Sequence, residues 1–325
     1  MKRLSIMLAA MAVSTVAYAQ TEVLRVAHQF PPAHYMAKAL DAWGEEIEKN
    51  SGGGIDVQMF PAAQAYKPNQ VYPAVVRGQI EAGFQVSIQW GSTLPDMSAL
   101  LIPFILSGTE RGKAFPDSEA ARMLDEELAK AGVHNMVWIF LGNANLISSN
   151  SKPLVHLEDF KDVKLRGGGK IFDSGFVAAG ASTVIMSAAE VYQALDTGIV
   201  DAASGDFIGS FERKYYEVQK YGTVNRLNCV FGNVVANQAW WDGLSEENRK
   251  VIEEASANLE ARLFEDYEKN YQHAYENMKD RMTLHIQTDE EAKEWEDFMK
   301  PAGKEEFLKQ ASPNGVKLVE LLEKL

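Results

Sequence analysis

The sequence predicts an α/β protein of two similar lobes, and three patterns support this fold class. Strand-like and helix-like segments alternate from Leu24 onward, which is the signature of βαβ units and a mostly parallel sheet. The segment VYPAVVRGQIEAG at 71–83 resembles VYQALDTGIVDAA at 191–203, at one offset of 120 residues. After residue 244 the pattern changes to a long charged amphipathic helix. A length of 325 residues also suits two domains.

The first half of the chain supplies alternating strands and helices. Apolar runs predict strands, and apolar residues spaced three or four apart predict amphipathic helices. Glycines close the first two helices, at Gly52–Gly54 and at Gly78. The predicted elements are, in order, the strand LRVA, a helix in PPAHYMAKALDAWGEEIEKN, the strand IDVQMF, the helix PNQVYPAVV, the strand IEAGFQVS, the helix SEAARMLDEELAKAG and the strand HNMVWIFLG.

The second half repeats this alternation. A strand is predicted to end at KLRGGG, and KIFDSGFVAAGA predicts a helix that ends near Gly180. The helix in SAAEVYQALDTG begins after Ser187 and carries Glu190 three residues later, which is the spacing of a capping box. The run IVDAAS then predicts another strand.

The long amphipathic segment at 245–282 predicts a single helix of about 35 residues. At ~1.5 Å per residue such a helix spans roughly 50 Å, enough to run along both lobes. The alternative is a pair of helices with a break near Asn270.

The N-terminus predicts an export signal at residues 1–19. Lys2 and Arg3 precede the apolar core LSIMLAAMAVSTV, and Ala17–Ala19 fits the pattern of small residues at a cleavage site. This core is too short to span a membrane as a stop-transfer helix. No cysteine follows the cleavage site, which excludes a bacterial lipid anchor. We therefore expect an unanchored protein held in a Gram-negative periplasm.

The charge and the cysteine count exclude several classes of protein. The formal net charge is −13, and removal of the signal makes the mature chain two charges more negative. Such a chain is a poor match for nucleic acid or anionic lipid. The single cysteine, Cys229, forbids an internal disulfide and is expected to be a buried inert thiol. We find no phosphate loop, metal-ligand spacing or nucleophile elbow, so no catalytic residue, metal or cofactor is predicted.

One segment, VKLRGGGKIFDSGF at 163–176, predicts an anion site. Arg166 ends a strand, three glycines follow, and a helix begins after them. A guanidinium offers a planar fork of donors that suits a carboxylate. Glycines allow close approach of the backbone, and a helix N-terminus presents free N–H groups. The alternative is that Arg166 pairs with a structural aspartate or glutamate.

Five segments, in this order, resemble one known family. They are LRVAHQFPPAHYMAKALDAWGEEIEK, VQMFPAAQ, KLRGGGK, AAEVYQALDTGIVDA and VANQAWWDGLSEENRKVIEEA. Together they are similar to the DctP-type solute-binding proteins of TRAP transporters, over essentially the whole mature chain.

This resemblance implies a two-lobed periplasmic-binding-protein fold with crossing hinge strands and a long helix spanning both lobes. We expect the first lobe to comprise residues 20–146 and 234–272, and the second 147–233 and 273–325. It also implies an organic-acid ligand in the cleft, paired through its carboxylate with Arg166. The implied partner is a sodium-driven TRAP permease in the membrane, and we expect a monomer.

The chain departs from the common family pattern in the cleft. Asn145 stands where many members carry an arginine, DAASGDF at 201–207 replaces D-G-Q-E-N-P, and Ala188 replaces an aromatic residue. We therefore expect a roomier, less polar pocket. Trp90 and Phe207 are predicted to stack on the ligand, with ordinary packing as the alternative. The full set of predicted ligand contacts is Gln29, Phe30, Gln89, Trp90, Asn145, Arg166, Asp206 and Phe207.

For the two glutamines of this set, the alternative is a surface amide without function. The resulting interpretation is a periplasmic binding protein for an organic acid, not an enzyme. Three alternatives stay open: a sugar-acid binder of the same class, a ligand sensor that docks on a membrane receptor, and a secreted enzyme acting on an acid.

Overall fold

Two β-sheets form the centre of the molecule. The computed structural model describes residues 21–325. The strands are β1 (Glu22–Ala27), β2 (Ile55–Phe60), β3 (Ala82–Val86), β4 (Val133–Gly142), β5 (Asn145–Ser149), β6 (Lys164–Arg166), β7 (Ser182–Val184), β8 (Ala202–Asp206), β9 (Tyr221–Asn225), β10 (Val230–Asn237) and β11 (Thr283–Ile286).

Helices surround both sheets. The α-helices are α1 (Tyr35–Asn50), α2 (Pro68–Val76), α3 (Thr109–Ala114), α4 (Glu119–Lys130), α5 (Lys170–Ala178), α6 (Ala188–Asp196), α7 (Phe207–Glu212), α8 (Gln238–Gly243), α9 (Glu246–Met278), α10 (Asp289–Leu308) and α11 (Gly315–Glu323). Short 3-10 helices occupy Ser87–Gln89, Pro95–Leu101, Leu157–Phe160 and Tyr215–Glu217.

Each lobe is built on one sheet, and the predicted α/β fold with two lobes is confirmed. The first sheet has the order β2-β1-β3-β10-β4, and the second has the order β11-β9-β5-β8-β6-β7. Both are mixed rather than mostly parallel. In the first, β10 runs antiparallel to β3 and β4, and in the second β5 runs antiparallel to β8 and β9. These antiparallel pairs arise because β5 and β10 enter their sheets directly from the other lobe.

The chain crosses between the lobes twice within the strand-forming region, at 143–144 and at 226–229. Asn145 and Asn228 join the two crossings, since the Asn145 side chain donates to Oδ1 of Asn228 at 3.2 Å and accepts from its backbone N–H at 3.1 Å. The predicted lobe boundaries after residues 146 and 233 fall inside β5 and β10. The change of sheet therefore occurs earlier at both places.

The C-terminal helix also differs from the predicted division. α11 packs against α4 and the 3-10 helix at 95–101, and α4 packs on β4 of the first sheet. We had assigned this helix to the second lobe. Its apolar residues, including Leu318 and Leu322, join the core that holds Leu124 of α4. The chain thus returns to the first lobe at its end.

The long helix α9 is continuous for 33 residues, without the alternative break near Asn270. Ser245 begins it by accepting the backbone N–H of Asn248 at 3.1 Å. Its N-terminal half packs against α1 and β4, and its C-terminal half packs against α7 of the second lobe. One rigid element therefore contacts both lobes.

The internal similarity in the sequence is also structural. Helix α2 and strand β3 begin and end 120 residues before α6 and β8, at all four bounds. Gly78 and Gly198 close the two helices with φ angles of 65° and 70°, a left-handed conformation that favours glycine. The predicted capping box of α6 is present, with the N–H of Ser187 donating to Glu190 at 2.9 Å.

Two further expectations concern the N-terminus and the cysteine. The predicted export signal, residues 1–19, lies outside the described residues. From Thr21 to the C-terminus, no helix combines the length and the apolar character that crossing a membrane requires. Cys229 is buried, and this burial raises the pKa of its thiol to about 12, as expected of an inert thiol.

Candidate ligand-binding site

A cavity of about 190 Å³ lies where the two sheets face each other. The first lobe lines it with the segment after β1 and the end of β3, and the second lobe with the ends of β6 and β8. The lining residues with polar or aromatic side chains include Gln29, Phe30, His34, Tyr35, Asn145, Arg166, Phe172, Ser204, Asp206, Arg213 and Asn228.

Arg166 enters this cavity from the last position of β6. Its Nη1 donates to the carbonyl oxygen of Ser204 at 2.8 Å, and its Nη2 donates to that of Met186 at 3.1 Å. Its Nε is buried and has no hydrogen-bond partner among residues 21–325. No carboxylate of the described chain lies within 4.0 Å of the guanidinium. The alternative of a structural ion pair therefore does not fit this environment.

The electrostatic state of Arg166 follows from this position. Burial lowers the pKa of the guanidinium from its ordinary value, and the nearby Tyr215 and Asp173 only partly offset that effect. An arginine nevertheless stays protonated in proteins. The cavity wall thus contains a desolvated positive charge that two neutral carbonyl groups hold in place.

The three glycines lie beside Asp173, and one of them, Gly168, also lines the cavity. Asp173 accepts the backbone N–H groups of Gly168 at 2.7 Å and Gly169 at 3.1 Å. A Cβ atom on Gly167 would lie 2.1 Å from the same carboxylate. Gly167 therefore makes room for Asp173, which lies in the first turn of α5. The N–H groups of Gly168 and Gly169 are therefore already engaged by Asp173, and whether the first N–H groups of α5 contribute to an anion site stays a prediction.

Three other predicted ligand contacts, Gln29, Asn145 and Asp206, line the cavity, and each already makes a hydrogen bond within the protein. Gln29 Oε1 accepts from the side chain of Gln89 at 2.9 Å, and Gln89 Oε1 in turn accepts the N–H of Val86. Asn145 is paired with Asn228, and Asp206 caps α7. Phe30 also lines the cavity. Whether these residues touch a ligand stays a prediction.

Gln89, Trp90 and Phe207 are not among the residues that line the cavity. Trp90 is 1% exposed and donates its indole N–H to Asn233 at 3.0 Å. Phe207 is fully buried and packs against Tyr271, with ring centroids 5.0 Å apart. These environments fit the packing alternative for both aromatic residues, because their faces are already covered by protein.

Sequence reasoning missed Arg213 and the contact between His34 and Glu212. Arg213 ends α7 and lines the cavity, with its Nη1 donating to the carbonyl oxygen of Gly209 at 3.1 Å. His34 Nε2 lies 2.7 Å from a carboxylate oxygen of Glu212, which joins the first lobe to the second across the cavity. The signal for Arg213 was its place in the short helix after β8, directly beyond a segment that departs from the family pattern.

The described residues place no group of three or more His, Cys, Asp and Glu side chains so that they could hold a metal ion. The polar side chains that line the cavity include two arginines, one aspartate, a histidine, serines, amides and a tyrosine whose hydroxyl donates to the carbonyl oxygen of Leu141 at 3.1 Å.

Comparison with known proteins agrees with this architecture. The model of the DctP family, described as bacterial extracellular solute-binding protein, family 7, matches residues 26–310. A C4-dicarboxylate-binding periplasmic protein DctP of Rhodobacter capsulatus is 29% identical over 295 residues, covering 90% of this chain and 88% of the relative.

Solved structures give the same fold. A TRAP periplasmic solute-binding protein of Desulfovibrio salexigens with bound orotic acid has a TM-score of 0.87 at 23% identity, covering 94% of this chain and 98% of that one. A TRAP periplasmic solute-binding protein of Rhodoferax ferrireducens with bound malonate has a TM-score of 0.86 at 22% identity, covering 93% and 97%. With a family model matched over most of its length, the chain belongs to the DctP family of bacterial extracellular solute-binding proteins.

Proposed function

We propose that this protein captures an organic-acid anion in the cavity between its lobes and delivers it to a sodium-driven TRAP permease. The observation that carries the proposal is Arg166, a half-buried cation in the cavity wall whose Nε is buried and which has no carboxylate partner in the described chain. A buried charge without a counter-ion is costly, so a ligand carboxylate is the group that would balance it. The relatives with bound orotic acid and malonate hold ligands that are acids.

The geometry around Arg166 favours a carboxylate over other anionic groups. The carbonyl groups of Ser204 and Met186 fix the guanidinium plane, and the buried Nε has no hydrogen-bond partner among residues 21–325. Because the plane is fixed in advance, little side-chain entropy is lost on binding. A carboxylate accepts two parallel N–H groups from such a fork.

Paired variants on one strand test this proposal. Arg166→Met removes the guanidinium, and Lys164→Met removes one positive charge from an exposed position two residues earlier on β6. Losing one member of a buried charge pair costs roughly 2–5 kcal/mol of binding, which is about 30-fold to several-thousand-fold in affinity. We expect this loss in Arg166→Met and a change below about threefold in Lys164→Met. Calorimetric titration with a carboxylate selected by thermal shift measures both.

The matched variants also separate binding from folding. Arg166→Met leaves two carbonyl groups without donors, which costs about 1–3 kcal/mol of folding stability, so affinities are compared at a temperature where both variants are folded. Arg166→Lys should recover part of the binding, because an ammonium lacks the planar fork. An affinity of Arg166→Met within threefold of wild type would place the anion elsewhere.

The proposal includes closure of the lobes around the ligand. The crossings joined by Asn145 and Asn228 are short enough to act as a hinge, and His34 and Glu212 already meet across the cavity. Solution scattering should show a smaller radius of gyration at saturating ligand and the mass of a monomer. An unchanged radius would contradict hinge closure.

Export and delivery complete the proposal. We expect mature protein that begins at Gln20, as mass spectrometry of a periplasmic extract would show; an intact Met1 terminus would contradict it. Delivery predicts sodium-dependent uptake in vesicles that contain the permease and this protein. We propose no catalytic step, and conversion of a bound acid in a turnover assay would contradict that view.

A further inference from the structure

We infer that the site selects a carboxylate that also carries a hydroxyl group, and that this hydroxyl lies between Arg213 and Asp206. The inference rests on the proposed function and names its substrate class. It starts from the charged side chains of the cavity lining, which are Arg166, Arg213 and Asp206. Arg166 accounts for one ligand carboxylate, so the question is what the other two groups recognise.

Arg213 is a second half-buried cation in the cavity wall. Its Nη1 donates to the carbonyl oxygen of Gly209, and no carboxylate of residues 21–325 lies within the 4.0 Å of an ion pair. The side-chain amide of Asn145 is less available as a donor to a ligand, because it both donates to Asn228 and accepts a hydrogen bond from Asn228. Arg213, directly after α7, therefore adds a second positive charge to the cavity wall.

Asp206 lies next to Arg213 but does not pair with it. Its Oδ1 accepts the N–H of Gly209 at 2.6 Å, which fixes the carboxylate as the cap of α7. A Cβ atom on Gly209 would lie 2.5 Å from Asp206 Oδ2 and 2.6 Å from Arg213 Nη1. The two atoms thus lie on either side of the Gly209 Cβ position without the direct contact of an ion pair, and both side chains also line the cavity. A fixed acceptor and a donor are therefore neighbours in the cavity wall.

A hydroxyl is the ligand group that satisfies both neighbours. It donates its proton to the Asp206 carboxylate and accepts an N–H of Arg213 with its oxygen. An ammonium group would donate to Asp206 but be repelled by Arg213. A second carboxylate would accept from Arg213 but be repelled by Asp206. A bare methylene would leave both charged groups desolvated and unpaired, which is unfavourable.

The distance to Arg166 suits a small hydroxy acid. Arg166 is anchored on the carbonyl oxygen of Ser204, two residues before Asp206 on strand β8. Two residues of extended strand span roughly 6–7 Å. Because Arg166 and Asp206 both line the cavity, we expect a small ligand with its carboxylate on Arg166 to bring a neighbouring hydroxyl group within reach of Asp206.

Ligand pairs that differ by one hydroxyl test the inference. We compare malate with succinate and lactate with propionate, with aspartate as the amino counterpart, by calorimetric titration. Hydrogen bonds to charged groups predict a preference of roughly 10- to 100-fold for the hydroxylated member. Arg213→Met and Asp206→Asn should each reduce that preference to about threefold or less, and asparagine is chosen because it retains the helix cap. Arg122→Met, an exposed site on α4 outside the cavity and away from both crossings, is the control for net charge.

The outcomes separate this inference from the proposed function. Equal affinities for both members of a pair, or an equal loss for both members in Arg213→Met, would overturn hydroxyl selection and leave the carboxylate site intact. Tighter binding of aspartate than of malate would also overturn it. If the pairs bind but Arg166→Met does not weaken them, the proposed carboxylate site is wrong. Absence of binding by every acid of the panel would contradict both.

Discussion

The two repeated units share a backbone and differ at the residue where the leading strand ends. In the first lobe β1 pairs with β3 so that Ala27 lies opposite Gly83, and in the second β6 pairs with β8 so that Arg166 lies opposite Ala203. Because β3 and β8 are 120 residues apart, Ala27 and Arg166 hold equivalent places. One is fully buried among apolar side chains, and the other enters the cavity.

The difference extends to the neighbouring residues. After Ala27 the first lobe continues with His28, Gln29 and Phe30, none of which carries a charge when the histidine is neutral. The second lobe presents Arg166 and the charged residues of β8 and α7. The repeated scaffold therefore differs between the lobes, because one lobe presents charged side chains to the cavity and the other presents neutral polar and aromatic side chains.

The largest expected effect comes from copying the arginine into the first lobe. Ala27→Arg would bury a cation in an apolar cluster with no carbonyl cradle, and should lower the free energy of unfolding by roughly 3–5 kcal/mol or more. Val23→Arg, at a position of β1 that is 38% exposed, is the control and should change it by less than about 0.5 kcal/mol. Urea unfolding measures both free energies. An Ala27→Arg protein as stable as the wild type would show that the end of β1 tolerates a cation as the end of β6 does.

A smaller effect is expected from the histidine that follows Ala27. Burial lowers the pKa of His28 from 6.5 to about 4, and neither ring nitrogen has a hydrogen-bond partner among residues 21–325. The ring is neutral in the folded protein but takes up a proton below pH 6.5 when unfolded. Its contribution to stability is therefore intact above pH 6.5 and lost as the pH falls toward 4, by about 2 kcal/mol at pH 5.

His28→Phe removes this titration. The difference in free energy of unfolding between the variant and the wild type should grow in favour of the variant by about 2 kcal/mol from pH 7.5 to pH 5. Measuring the difference cancels the other titrating groups. A difference that stays constant over this range would mean that the first-lobe strand end tolerates a charge after all.

The smallest effect concerns the two acids that follow the repeated helices. Glu81 accepts the backbone N–H of Arg25 and both donors of its fork at 2.7 Å, whereas Asp201 accepts only the backbone N–H of Lys164 at 2.9 Å. Arg25 is 39% exposed, so its pair is partly screened by solvent. Glu81→Gln should cost about 1 kcal/mol and Asp201→Asn about 0.3 kcal/mol. Added salt should reduce the difference between the two losses in free energy of unfolding. Equal losses would show that the paired side-chain hydrogen bonds of Arg25 add no stability.

Sequence patterns predicted the local features of the fold. The periodicity of 245–282 indicated α9, and the offset of 120 residues identified the repeated units, because both depend on residues close together in the chain. The place of β10 between β3 and β4 was not predictable in this way, since it depends on pairing across about 100 residues or more. For the same reason, sequence patterns do not show at which residues the chain changes sheets.

The cavity was predictable only in part. Arg166 was found because its setting in the sequence is local, between a strand and a glycine run. Trp90 and Phe207 were singled out by their places at segment ends, but residues distant in sequence, Asn233 and Tyr271, cover them. The contact of Asp173 with the glycine run was not predicted, because the sequence does not show that this side chain accepts hydrogen bonds from the preceding backbone N–H groups.

The most direct measurement of the central claim is a crystal structure of the complex with a bound organic acid. The account predicts one ligand carboxylate on Arg166, with an oxygen within hydrogen-bond distance of Nε, while the bonds to the carbonyl groups of Ser204 and Met186 remain. It also predicts no charged contact from the first-lobe strand end at Ala27 and His28. A ligand whose carboxylate is held by first-lobe residues, with the Nε of Arg166 still unpartnered, would contradict it.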